Sequence, residues 1–397
     1  MDEQINQLVD ELNQYENKID TSKIKGLIQR YLLTRDEEMK RFLFNQIIYQ
    51  VENIRRNLVL STISKKDNNQ IKKNGIKVGK LNGSIDYFIS ELDINRNILI
   101  TGSVGHGKTS LVANIIKGMI DKGIKFIVFD LKRDYRSFAL DKNTFAINTD
   151  EFRINPLEAP PNISLDEWAM HVADIFSHAF SLLLGSRNFL VSSIMSLYNN
   201  WKREYPPSLY DLLRYIELQV KPNDYSSVVI NRLRALLVST KVFDCNHGLL
   251  LDKISDYNLI FNIDKLGLSE QRFFVIYVLS YLYFFNSNSN KRNLLDRVIV
   301  IDDAHTILDV NQELEREMGI PLIHTIVSKS REFGIGFIFA DQQISSLISA
   351  SIMNTNIKFI GRMNILNDLN KIVDNSILFE AEQKVRSLDV GEFLLLS

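Results

Sequence analysis

The chain has 397 residues, 45% hydrophobic and 24% charged, which is enough to bury a sizeable core in one large α/β domain or in two domains. Lys and Arg number 47 against 48 Asp and Glu, a formal charge of −1; this excludes a histone-like or tail-driven nucleic-acid binder but not a few cations presented in a pore. The single cysteine, Cys245, excludes an internal disulfide and a multi-cysteine zinc site, no apolar run approaches the ~20 residues that span a bilayer, and the polar start Met1-Asp-Glu-Gln-Ile5 is unlike a signal peptide, so the expectation is a soluble cytoplasmic protein with no membrane partner.

Residues 1–60 are predicted to be a helical region. Ile5, Leu8, Val9, Leu12 and Tyr15 recur at helical spacing, and Thr34-Arg-Asp-Glu37 is a capping box before a helix carrying Met39, Phe42, Leu43, Ile47, Ile48, Val51 and Ile54 on one side. Residues 61–75 are polar, with Lys65, Lys66, Lys72 and Lys73, and are expected to form a linker. From residue 76 to 397, short apolar runs alternate with helical patterns, which predicts a mainly parallel sheet covered by helices. The candidate strands are 97–102, 125–130, 144–148, 258–263, 297–302, 335–340, 357–361 and 392–396, and their near-continuous Ile, Val and Phe content marks them as buried on both faces. Residues 164–240 read as a helical insertion opened by the capping box Ser164-Leu-Asp-Glu167, and Asn286-Ser-Asn-Ser-Asn290 with Lys291 and Arg292 as an exposed loop.

One stretch carries chemistry by itself. Gly102-Ser-Val-Gly-His-Gly107-Lys108-Thr109 stands between the run Asn97-Ile-Leu-Ile-Thr101 and the helical pattern from Ser110 to Lys117, the strand, glycine-rich turn and helix start of a phosphate-binding loop. The glycines let the amides of Gly102, Ser103, Val104, Gly105, His106 and Gly107 turn around an anion, and the helix start at Lys108, Thr109 and Ser110 adds its unpaired amides and positive end. Lys108 supplies a charge for β- and γ-phosphates, and the Thr109 hydroxyl a ligand for magnesium.

Such a loop needs an acid to hold the metal, and Arg297-Val-Ile-Val-Ile-Asp302-Asp303-Ala-His305 supplies a buried strand ending in two carboxylates. Asp302 would bind Mg2+ directly or through water, and Asp303 would orient the attacking water. Two acids capping a strand-to-helix turn are the competing reading. Gln342, where the strand 335–340 emerges, either senses the γ-phosphate or is hydrogen-bonded in a turn.

The order of these motifs resembles the HerA/FtsK superfamily of P-loop ATPases, in its HerA-like branch, from about Ile76 to Ser397. Walker A is matched by residues 97–109, the strand-two motif by Val128-Phe-Asp130-Leu-Lys-Arg-Asp134-Tyr135, Walker B by Ile301-Asp302-Asp303-Ala-His305, and the later signature by Ser330-Arg331-Glu-Phe-Gly334 with Ala340-Asp-Gln342-Gln343. Asn354 to Arg362 and Leu388 to Leu394 resemble the closing strands. The resemblance implies a RecA-like/ASCE P-loop NTPase core, to which the residue patterns above add a helical insertion and an N-terminal helical segment. It also implies ATP and Mg2+ as cofactors, Asp130 among the nucleotide-binding residues, Gln342 as sensor, and Arg331 as an arginine finger reaching a neighbouring subunit.

Three departures stand out. Asp303 replaces the usual Glu, withdrawing the carboxylate by roughly 1.5 Å; the N-terminal β-barrel of HerA proteins is not evident; and Gln343-Ile344 replace Arg-Pro. Two functions stay open at this point. One is a hexameric Mg-ATP-driven ring, a translocase- or helicase-like motor on double-stranded DNA. The other is an ATP-dependent oligomeric scaffold or switch assembling with a nuclease or other effector, as in antiviral defence. A nucleotide kinase or GTPase would need an Asn-Lys-x-Asp element or a phosphate-acceptor lid, and neither is visible.

Overall fold

The computed structural model describes residues 5, 22–34, 39–40, 43–44, 46–48, 50–51 and 75–396, the last range without 142, 162, 220, 222, 250, 252–255, 288–293, 310–321, 364–365 and 374–377. It comprises two units, Met1–Asn74 and Gly75–Ser397. In the first, helix α1 (Ser22–Leu33) buries Ile24, Ile28 and Tyr31, one face of a 3.6-residue period, against Ile5, Leu43, Ile47 and Val51. Met39 departs from the expected stripe, being 48% exposed. Thr34, the residue after α1, turns its hydroxyl back to the Arg30 carbonyl at 2.7 Å. The expectations for Leu8, Val9, Leu12, Tyr15, Arg35 to Glu37, Phe42, Ile54 and residues 61–74 lie outside the described residues.

The second unit opens with a two-stranded antiparallel hairpin, β1 (Ile76–Leu81) and β2 (Ile85–Ile89). Its turn places Asn82 and Gly83 at φ 48° and 72°, the left-handed pair that Asn-Gly favours. Lysines and a glycine interrupt its apolar residues, so a search for continuous apolar runs passes over it. Next come α2 (Glu91–Asn95), β3 (Ile98–Thr101), α3 (Lys108–Lys122), β4 (Phe126–Asp130) and β5 (Thr144–Asn148). Helices α4 (Leu165–Phe180), α5 (Leu184–Asn200), α6 (Leu209–Gln219) and α7 (Asp224–Ser239) follow, then β6 (Asn258–Asn262) and α8 (Leu268–Ser287). The unit finishes with β7 (Arg297–Asp302), α9 (Leu322–Lys329), β8 (Ile335–Asp341), α10 (Ser349–Met353), β9 (Ile357–Ile360), α11 (Leu378–Ser387) and β10 (Leu394–Leu396).

Strands β3 to β10 form one eight-stranded sheet in the order β10-β9-β3-β8-β7-β4-β6-β5, parallel throughout except for β10 against β9. Each of the eight apolar runs read from the sequence is a strand of this sheet, but the outer strands β5 and β10 are not buried on both faces as expected: among the described residues they have a neighbour on one side only, and Phe145 of β5 is 50% exposed. Successive residues point to opposite faces: Phe129, Ile299, Ile301, Phe337 and Phe339 enter the core on one side, and Val128, Val298, Val300, Ile338 and Ala340 the core on the other. The first face is covered by α4 to α8 and the second by α3 and the hairpin, where Ile76 sits so close to Gly118 that a Cβ there would lie 2.2 Å from it. α4 begins at Ser164, whose side chain accepts from the Glu167 amide.

Asn286 and Ser287 belong to α8 rather than to a loop, because the Asn286 amide is buried and donates to the Phe333 carbonyl at 3.2 Å. No helix among the described residues is long and apolar enough to cross a membrane. Cys245 is free and half-buried, and burial pushes its thiol up to about 11.

Candidate nucleotide-binding site

Parallel pairing gathers the motif residues. β3, β8, β7 and β4 are consecutive in the sheet, with Thr101 opposite Asp341, Ala340 opposite Asp302, and Ile301 opposite Phe129. The glycine-rich turn after β3, Gln342 after β8, the acid pair ending β7 and Asp130 ending β4 therefore emerge along one sheet edge, where open α/β sheets place ligands.

The turn has the geometry of an anion cradle. Gly102, Gly105 and Gly107 have φ of 149°, 75° and 97°, which side chains with a Cβ rarely adopt. Gly107 is the N-cap of α3 and offers no side-chain oxygen, so the first-turn amides at Lys108, Thr109 and Ser110 are left for a ligand. The turn leans on the end of β9: Ser103 donates to the Arg362 carbonyl from its amide (2.7 Å) and its hydroxyl (2.8 Å). His106 is an internal anchor. Its ring, 4% exposed, meets the Glu392 carbonyl through Nε2 at 2.8 Å and the edge of Phe393, and its own carbonyl accepts from the Gly391 amide. Val104 is thrust outward at the tip, 77% exposed.

Lys108 is buried, and its ammonium donates to the carbonyls of Gly102 (2.8 Å) and Ser103 (3.0 Å). Burial lowers its proton affinity, against the pull of Asp302, Asp303 and Asp341. The Thr109 hydroxyl lies 3.3 Å from Asp302 Oδ2, which also accepts from the Tyr135 hydroxyl at 2.7 Å, while Oδ1 accepts from the Asp303 amide. Burial raises the Asp302 carboxyl above its ordinary range, opposed by the Tyr135 bond; burial, then the Asp302 charge, raises Tyr135. A hydroxyl and one carboxylate fit Mg2+, which keeps waters and takes phosphate oxygens instead of a full protein cage. Among the described residues no group of three or more His, Cys, Asp or Glu forms such a cage.

Asp303 has left-handed backbone, φ 51° and ψ 50°, and its nearly buried carboxylate is paired with the Lys132 ammonium. That bond raises the Lys132 proton affinity. Gln342 is half-buried, and its amide donates to Asp341 Oδ1 at 2.6 Å. The wholly buried Asp341 also accepts from the Gln343 amide and, through Oδ2, from the His305 amide (2.6 Å) and Nδ1 (2.9 Å). One carboxylate thus ties the turn after the acid pair to the turn holding Gln342.

Two candidates stand apart from the cradle. Asp130 faces the chain's own amides, accepting from Lys132, Asp134 and Tyr135, so it shapes the loop that presents Lys132 and Tyr135. Arg331 precedes β8 and lines a cleft of about 500 Å³ with Arg96, Glu332, Asn354 and Asn356, at the opposite sheet edge. Seven residues of β8 separate the edges, roughly 20 Å at 3.3 Å each.

Sequence reasoning gave no role to Lys132, Tyr135, His305 or Asp341. An acid directly after an apolar strand was a signal for Asp341, but its partners become neighbours only through the β7-β8 pairing. Gly361 carried no signal at all, yet its Cα lies 3.1 Å from where a Gly102 Cβ would stand.

The model of the family "Helicase HerA, central domain" matches residues 76–282, more than half of the chain. The DNA double-strand break repair helicase HerA of Sulfolobus acidocaldarius is 21% identical over 348 residues, 81% of this chain and 66% of the relative, so the chain spans just under two thirds of that protein. VirB4 of Thermoanaerobacter pseudethanolicus superposes with a TM-score of 0.63 at 16% identity, covering 82% of this chain and 94% of that one. The plasmid coupling protein TrwB, solved with ADP and Mg2+, superposes at 0.55 with 11% identity, covering 83% and 82%. At these identities the two structures speak for the fold alone.

Proposed function

The chain belongs to the HerA/FtsK-type P-loop ATPases, and from that premise we propose that it hydrolyses Mg-ATP as a closed ring of identical subunits, six in number, that moves double-stranded DNA. The observation that carries the ATPase reading is the convergence of an uncapped, glycine-framed helix start, Lys108, the Asp302-Asp303 pair and Gln342 on one sheet edge. Loop amides and Lys108 hold the β- and γ-phosphates. Thr109 and Asp302 hold the metal, which would neutralise charge developing on the phosphates. Asp303 accepts a proton from the attacking water, with Gln342 aligning that water or reading the γ-phosphate.

The ring reading rests on Arg331 acting as a finger: it lies across the sheet from its own cradle, so in that role it would have to act on another subunit's cradle. A head-to-tail contact of that kind closes into a ring when its rotation permits. A guanidinium so placed stabilises transition-state charge, worth ~10³-fold or more in rate. The duplex as substrate rests on the relative named as a DNA repair helicase, and only pore-facing cations need touch its phosphates, so a net charge of −1 does not oppose it. The test is phosphate release from ATP with and without long duplex DNA, together with particle symmetry in electron micrographs. Acceleration by DNA and six-fold rings are expected; a monomer with DNA-indifferent turnover would overturn the motor. Arg331→Ala protein mixed with Lys108→Ala protein should regain activity, since each supplies what the other lacks.

A further inference from the structure

We propose that Lys132 is a γ-phosphate-reading residue that passes from Asp303 to the terminal phosphate when a triphosphate binds, freeing Asp303 Oδ2 for water. This rests on the ATPase reading above and adds a residue to it.

Two ammonium groups flank the cradle, and both are held by the protein itself. Lys108 is bound to two neutral carbonyls, and Lys132 to the carboxylate expected to take a proton from water. Lys132 holds Asp303 through Oδ2, one of the two oxygens that could take a proton from water. The pair is asymmetric: the Lys132 side chain is 56% exposed, whereas that of Asp303 is 9% exposed, so solvent-side space surrounds the lysine and not the carboxylate. The loop beneath it is fixed, because Asp130 accepts from three of its amides and Arg133, at φ 65°, bonds Asp264 through Nε at 2.9 Å. A fixed loop with an exposed cationic tip suits a group that changes partner without moving the fold.

The charges point the same way. Asp302 and Asp303 act on Lys132, and Lys132 in turn acts on Lys108, so an anion drawn to Lys108 enters the field of both amines. On this reading a diphosphate would meet Lys108 and leave Lys132 on Asp303. A third phosphoryl group, placed where Asp303 can direct water at it, offers Lys132 a doubly charged partner in exchange for a carboxylate. Recognition of the terminal phosphate and release of the carboxylate then become one event.

The test is equilibrium binding of ATPγS and of ADP, each with Mg2+, to the full chain and to K132Q, K132R, D303N and K132Q/D303N, with a thermal melt of each protein to confirm folding. K132Q should weaken ATPγS about ten- to a hundredfold, as for loss of a charged hydrogen bond, and change ADP less than about twofold. K132R keeps the cation and should keep the triphosphate preference. D303N frees Lys132 in advance and should tighten ATPγS several-fold, an effect that vanishes when Lys132 is also replaced. Equal loss of both nucleotides in K132Q, no loss of either, or a D303N effect that persists in the double variant would overturn the proposal. Wild-type protein that binds neither nucleotide would overturn the ATPase reading with it.

Discussion

Gly361→Ala probes the contact between the phosphate loop and β9 with a single methyl group. A Cβ at Gly361 would stand 2.4 Å from Cδ2 of His106 and 3.2 Å from the Thr101 carbonyl oxygen, where carbon atoms ordinarily approach to about 3.5–4.0 Å. Roughly 1 Å of movement is required. The imidazole cannot supply it, being 4% exposed and held by the Glu392 carbonyl and Phe393. The Thr101 oxygen cannot either, since it accepts from the Gly361 amide itself at 2.7 Å. The strain therefore passes to the loop backbone between Thr101 and Lys108. Overpacking of this kind costs about 1–3 kcal/mol, or roughly 2–4 °C in Tm per kcal/mol, and a displacement near 1 Å in a phosphate-positioning loop costs up to ~100-fold in function. The assays are a thermal melt and a nucleotide titration of Gly361→Ala, His106→Ala and their combination. The double variant has room for the methyl and should recover part of both losses. Wild-type Tm and affinity in Gly361→Ala, or no relief from His106→Ala, would refute this account of the loop.

Lys108→Ala should abolish measurable nucleotide binding, whereas Asp303→Asn should retain nucleotide and lose turnover; retained turnover would move the proton acceptor elsewhere. Tyr135→Phe removes a charge-assisted hydrogen bond from buried Asp302, with about 1.5–3 kcal/mol of destabilisation expected in denaturant titration. Ser164→Ala should cost about 1 kcal/mol by the same method, since only the α4 cap is lost. The Asp341 hydrogen bond raises His305 above the ordinary imidazole value of 6.5. Its stabilisation is then full below that pH and lost as pH rises through the raised folded-state value. His305→Ala should accordingly lower Tm more at about pH 5.5 than at about pH 8.5, and a difference that grows with pH would contradict the Asp341–His305 pair.

Local sequence was enough wherever the governing physics is local. Both-face burial leaves runs of Ile, Val and Phe in the central strands, and short apolar runs betrayed the half-exposed edge strands β5 and β10 as well; glycine followed by Lys-Thr at a helix start gives the geometry of an anion cradle because backbone conformation and helix ends are set within a few residues. Strand order was beyond reach, since hydrogen-bonding partners such as Thr101 and Asp341 lie far apart in the chain and no local pattern records the pairing. That pairing brings Lys132 onto Asp303, Tyr135 onto Asp302 and Asp341 onto His305, and it carries Arg331 to the far edge. The sequence determined which groups are available to handle a phosphate; only the tertiary structure decided which of them meet, because Coulomb attraction and hydrogen bonding act across space and not along the chain.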